Sequence, residues 1–259
     1  MESMTRRGFG VAAAIPVGLI GPLAKAAEDA GYSTFWVNDT PGADGIQALG
    51  HAAAATSSIR LGTGVIPLDR RSPEAIAASV NDASLPVERL VIGIGAGGVH
   101  LGSLDMVERG IGGIQQLTGG EVAIGALGMK MVGLAGRLAD GVILNWMTAE
   151  WALRSAEIAR GSDRLEPVEI IGYVRTALQE SRAKLEAEAN RYSSFPAYAR
   201  HFHRMGVPAI ETCVIGSSQA IAVSLQAFDA VLEETVVRAI VSEESLDSYL
   251  AVLNAGLPG

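Results

Sequence analysis

Short apolar, β-branched runs alternate along the chain with stretches whose apolar positions recur at helical spacing, the pattern of a parallel sheet wrapped by helices. The runs are Gly8 to Ala13, Ser33 to Val37, Ile59 to Val65, Leu90 to Gly95, Glu121 to Ala126, Gly141 to Asn145, Val168 to Thr176 and Thr235 to Val241. Helices are predicted between them, over Gly21–Ala30, Gly45–Ser57, Leu104–Leu117, Met129–Ala139, Ala149–Gly161 and Ser217–Leu232, with a last one over Leu246–Leu253. Ser72-Pro73 opens a further helix, with serine as N-cap and proline at the first helical position; Ile76, Val80 and Ala83 should face the sheet. Leu178 to Gly206 reads as a mostly helical insertion, followed by Pro208 to Ile215. Eight strand–helix units without a break in composition predict one closed (β/α)8 TIM barrel, a single domain over residues 1–259, with the insertion between its seventh and eighth strands.

Composition narrows the function. The chain has 259 residues, 49% of them apolar, a size suited to one barrel with a large core. Its net charge is −8 and its basic residues are scattered, which argues against a nucleic-acid partner. The lone cysteine, Cys213, can form neither an internal disulfide nor a thiolate cluster, and the expected compartment is the cytoplasm; His201 and His203 diverge on a helix, so no metal site is expected. Thr5-Arg6-Arg7-Gly8-Phe9 with the apolar run to Ala26 also reads as a twin-arginine export signal. The strand-and-helix reading is preferred, because Asp29-Ala30-Gly31-Tyr32 ends a helix and turns into the next strand. The apolar run is too short and too broken by Pro and Gly to span a membrane.

Gly93-Ile94-Gly95-Ala96-Gly97-Gly98 matches a dinucleotide fingerprint, but no helix opens inside it and four strand units precede it. Close approach of backbone to a ligand is the better use of these glycines. Polar residues gather where strands should end: Asn38 and Asp39, Thr63, Asn145 and Thr148, Arg175 and Thr176. In a β/α barrel those carboxyl ends are where chemistry is assembled. The sequence identifies no catalytic acid. Asp39 and His100 are the candidates, the latter only for its place just past the glycines. Asn145, Trp146 and Arg175 are candidate substrate contacts.

Several segments together resemble a known family. They are Ala27 to Tyr32 with Trp36 to Asp39, Ile59 to Pro67 with Arg71-Ser72-Pro73, Arg89 to Gly97, and above all Ala126-Leu127-Gly128 with Leu134 to Trp146. The chain resembles the luciferase-like monooxygenase superfamily, and within it a shortened member of the coenzyme F420-dependent oxidoreductase branch. The resemblance implies a deazaflavin ring across the barrel mouth, with Asp39 at its edge. It also implies a bulge at Thr63, Gly64 and Val65, carrying a non-prolyl cis peptide, against the ring face. Ala96, Gly97, Ala126, Leu127, Gly128, Lys130 and Met131 would line the ribityl-phosphate side. Thr40 and Gly98 stand where sugar-phosphate dehydrogenases of the family carry His and Glu, so that activity is not carried over. The expected function is hydride transfer between coenzyme F420 and a small organic substrate. The alternatives are a reduced-FMN-dependent monooxygenase and a non-catalytic cofactor-binding barrel. A homodimer is expected from the resemblance alone.

Overall fold

The computed structural model describes residues 6–99, 101–161 and 166–259. Its strands are β1 Arg6–Ala12, β2 Thr34–Asn38, β3 Arg60–Thr63, β4 Ile66–Pro67, β5 Leu90–Gly95, β6 Glu121–Ala126, β7 Gly141–Asn145, β8 Glu169–Leu178, β9 Val214–Gly216 and β10 Glu234–Ala239. The helices are α1 Val17–Asp29, α2 Gly45–Ala55, α3 Pro73–Asp82, α4 Ser103–Thr118, α5 Met129–Leu138, α6 Ala149–Arg160, α7 Arg182–Ser193, α8 Pro196–Met205, α9 Ser218–Asp229 and α10 Leu246–Ala255. Parallel pairing runs β10-β1-β2-β3-β5-β6-β7-β8, and β8 pairs back to β10, closing an eight-stranded barrel. The TIM-barrel expectation therefore holds. The helical insertion, α7 and α8, lies between the seventh and eighth barrel strands, β8 and β10. No helix among the described residues is long and apolar enough to cross a membrane.

Local signals set most element ends. Ser72 caps α3 by accepting from the Ala75 N–H at 3.3 Å, with Pro73 in the first turn. Asp44 caps α2 through Ile46 N–H at 2.9 Å. Ile76 and Val80 are buried against the sheet, while Ala83 caps the helix and is only half-buried. Several element ends shift by one to four residues from the sequence reading, and two shifts matter most. Helix α1 begins at Val17, a turn early, and contains Pro22, because Ile20 and Leu23 complete its buried stripe. The Arg6-Arg7 pair opens β1: Arg7 is buried and bonds Asp229 at 2.5 Å and the Leu257 carbonyl at 2.6 Å.

The other boundary shapes the site. The third predicted strand runs on to Val65, whereas β3 stops at Thr63. Gly62 pairs with Val91, and pairing resumes at Ile66 with Ile94, so residues 63–65 stand opposite only 92 and 93. One extra residue makes this a β-bulge, a device common at barrel rims.

Side chains fill the barrel interior. Trp36 is fully buried there, and its cross-strand neighbours on β1 and β3 are Gly10 and Gly62. A Cβ at Gly62 would fall on the indole, so glycine is what makes room for the ring. The indole packs edge-on against Tyr173 at 5.6 Å and donates to Glu234 at 3.2 Å. Below it, at the amino ends of the strands, Arg60 bridges Glu121 at 2.5 Å and Glu169 at 3.2 Å, with Glu234 4.0 Å away.

Candidate active site

At the opposite end the strands' carboxyl termini surround a cavity of about 870 Å³. That is the range of pockets that enclose a small molecule or cofactor. Its floor is the bulge. Thr63 is fully buried, its hydroxyl accepting from Gly93 N–H at 2.9 Å and donating to Gly93 carbonyl at 3.2 Å. This fastens β3 to β5 just before the irregular residues. The Gly64–Val65 peptide is cis, and the Gly64 carbonyl accepts from Asn38. Val65 lies between two glycines: a Cβ at Gly95 would come within 2.9 Å of its methyl, and one at Gly125 within 3.0 Å. Absence of side chains at Gly64, Gly95 and Gly125 leaves backbone and one valine as the floor.

Two buried hydroxyls beside this floor have no hydrogen-bond partner, those of Tyr173 and Thr40. Both residues line the cavity. Burial raises the Tyr173 phenol well above its ordinary value, so it stays protonated. Unsatisfied buried donors are uncommon and invite a ligand acceptor.

The loop after β5 forms one wall. Gly97 has φ +65°, and a Cβ there would collide with the Asp69 carboxylate, which instead accepts from the Gly98 N–H at 2.8 Å. Ala96 and Gly97 line this wall, and Ala126, Leu127, Gly128 and Met131 line the next. Lys130 is exposed on α5 and does not line the cavity. Asp39 lines it, but its oxygens accept from Gly45 N–H and from Arg70, each at 3.0 Å. This carboxylate is thereby tied to the start of α2. His100 lies outside the described residues.

The remaining wall is polar and aromatic. Arg175 is 3% exposed and gathers the predicted substrate residues: it donates to Asn145 at 2.5 Å and stacks on Trp146 at 3.8 Å. Asn145 and Arg175 line the cavity; Trp146 is buried behind the guanidinium and does not. The insertion adds groups that the sequence reading missed. Glu188 of α7 accepts from Arg175 at 2.7 Å, and Tyr192, itself packed on Trp146 at 4.8 Å, lies 4.9 Å from the guanidinium. Burial works against the Glu188 charge, but Arg175 and Arg238 hold its carboxyl below the usual range. Burial pushes the phenol of Tyr198, on α8, up to about 12. Arg238 of β10 completes the wall. A charge inside an otherwise apolar strand was the one available signal for it. Among the described residues no cluster of His, Cys, Asp and Glu could hold a metal ion.

Comparison with known proteins now bears on this barrel. Residues 4–100 match the family model described as luciferase-like monooxygenase. The first strand–helix units of the barrel are thus similar to that family. The matched part runs from β1 to the end of the β5 glycines and includes the bulge. A Mycobacterium tuberculosis protein, provisionally named a coenzyme F420-dependent oxidoreductase, is 38% identical over 29% of this chain and 22% of its own length. The 5,10-methylenetetrahydromethanopterin reductase of Methanolobus tindarius is 26% identical over 70% of this chain and 68% of that protein. The coenzyme F420-dependent tetrahydromethanopterin reductase of Methanopyrus kandleri superposes with a TM-score of 0.79 at 17% identity, covering 99% of this chain and 98% of that one. A type II Baeyer–Villiger monooxygenase from Pseudomonas putida, solved with FMN, gives 0.70 at 13% identity over 98% of each. At these identities the superpositions establish the β/α-barrel fold alone.

Proposed function

We propose that the chain is a luciferase-like, coenzyme F420-dependent oxidoreductase acting on a small organic substrate. The observation that carries this reading is the cavity floor, where a bulge and two flanking glycines present backbone rather than side chains to a planar group. The names of the relatives support the same cofactor.

The residues fit the cofactor. The bulge, Gly64 and Val65, would support one ring face, with the unpartnered Tyr173 and Thr40 hydroxyls as donors to its heteroatoms. Asp39 would stand at the ring edge, and Ala96, Gly97, Ala126, Leu127, Gly128 and Met131 would enclose the phosphate-bearing chain. When bound, the deazaflavin supplies two-electron hydride chemistry, and the protein supplies position and a dry pocket. The aromatic roof, Tyr192 and Tyr198, excludes water from the substrate side, while Asn145 and Arg175 orient the substrate's polar groups.

A second reading, a reduced-FMN-dependent monooxygenase, is supported by the likeness to the FMN-bound structure. Titrating the full chain with coenzyme F420 and with FMN, following fluorescence quenching, separates the two. The proposal expects the deazaflavin to bind at micromolar concentration and more tightly than FMN. Tighter FMN binding, with oxygen uptake on adding reduced FMN, replaces it by the monooxygenase. Binding of neither leaves a barrel without redox function.

A further inference from the structure

The charged residues lining the cavity are unevenly distributed. Asp39 is satisfied by Arg70 and by Arg71 at 3.7 Å, so it cancels nothing across the mouth. On the α7 side, four cations, Arg175, Lys184, Arg191 and Arg238, face two carboxylates, Glu188 and Glu244. This surplus of positive charge sits inside a protein whose net charge is −8.

Arg238 is the extreme case. It is 8% exposed, donates to Asn38 at 2.6 Å and to the carbonyl of Ala239, and forms no ion pair among the described residues. Burial holds its guanidinium below the ordinary value, with Arg175 adding repulsion against the pull of Glu188. An unpaired, desolvated charge is costly to keep. Here both donors that are engaged go to neutral acceptors, and the residue lines the cavity beside Arg175, whose own carboxylate partner is taken. The adjoining surface is aromatic. Tyr192, Tyr198 and the half-exposed Phe195 meet edge to face at the mouth, with Tyr192 to Tyr198 at 4.8 Å.

The geometry points to a substrate that is a small organic acid: its carboxylate binds Arg238, and its planar or chain-like apolar body lies against the Tyr192–Phe195–Tyr198 wall. This names the substrate class for the oxidoreductase proposed above and rests on that reading for the second reactant. A guanidinium offers a carboxylate two parallel donors, which a neutral amide or alcohol cannot match. Arg175 is neutralised by Glu188, which leaves Arg238 as the unpaired cation for the head group. Arg238 is thus the specificity-determining group for a negative head.

Calorimetric titration of the full chain without cofactor tests this with two matched pairs, benzoate against benzamide and hexanoate against hexanamide. The acids are expected to bind about tenfold more tightly than the amides, the worth of one charge-assisted pair in a desolvated site. In Arg238→Gln that preference should fall to about twofold or less, and Arg238→Lys should restore part of it, with deazaflavin affinity falling by a smaller factor than benzoate affinity, since Arg238 touches the cofactor floor only through Asn38. Equal binding of acid and amide by the unaltered chain overturns the proposal, and this comparison needs no variant to fold. Loss of deazaflavin affinity in Arg238→Gln by the same factor as benzoate affinity also overturns it, since the arginine would then serve the cofactor's phosphate. Should the deazaflavin fail to bind at all, the cofactor reading falls while the acid–amide preference still stands or fails by itself.

Discussion

The two ends of the barrel handle buried charge in opposite ways. At the amino ends, Arg60 is surrounded by Glu121, Glu169 and Glu234, and Arg6 adds to Glu169. Trp36 seals that end from above. At the carboxyl ends two buried arginines open onto a cavity, Arg175 paired with the half-buried Glu188 and Arg238 with no ion pair among the described residues. The closed end carries surplus negative charge around its cation, the open end surplus positive charge around its anion. One end is built to be stable; the other leaves a charge for a ligand to complete.

The largest expected effect separates these roles by paired substitutions. Arg60→Met leaves the buried Glu234 without its cation and Glu169 with Arg6 alone, and should cost about 2–4 kcal/mol. Arg175→Met at the open end should cost only about 1 kcal/mol, because Glu188 keeps Arg238 nearby and a guanidinium repulsion is removed. Urea unfolding midpoints read both, and equal costs would break the distinction.

A smaller effect concerns Glu234. Burial, reinforced by Glu169, raises its carboxyl above 4.5, and its Oε2 has no hydrogen-bond partner. A carboxyl whose folded value is raised contributes stability below its unfolded value and loses it as pH climbs through the folded one. Glu234→Gln keeps an acceptor for Trp36 and removes the ionisation. Its melting temperature relative to the unaltered protein should therefore rise from pH 4 to pH 8. A gap that narrows with pH would show Arg60 holding Glu234 ionised.

How far the sequence disclosed this depends on what kind of information each feature uses. Strand and helix positions follow from periodicity and caps, so Leu90–Gly95, Glu121–Ala126 and Gly141–Asn145 match the predicted runs to the residue. The rule that chemistry gathers at strand ends brought out Asn145 and Arg175, which do meet. It did not separate Trp146, one residue beyond Asn145, whose side chain is buried under Arg175 with φ +55°. Glu188, Tyr192 and Tyr198 were illegible, since an amphipathic insertion does not announce which barrel strand it will cover. Arg238 was legible in principle, being a lone charge in the apolar strand Thr235 to Val241, but its missing partner is a fact of tertiary structure.

A crystal structure of the chain soaked with coenzyme F420 tests the central claim most directly. The account expects the tricyclic ring to lie on Gly64 and Val65 with Tyr173 beneath it, and the Arg238 guanidinium left open to the substrate side. A ring bound elsewhere, or a floor closed by rearranged side chains with the cofactor excluded, would contradict it.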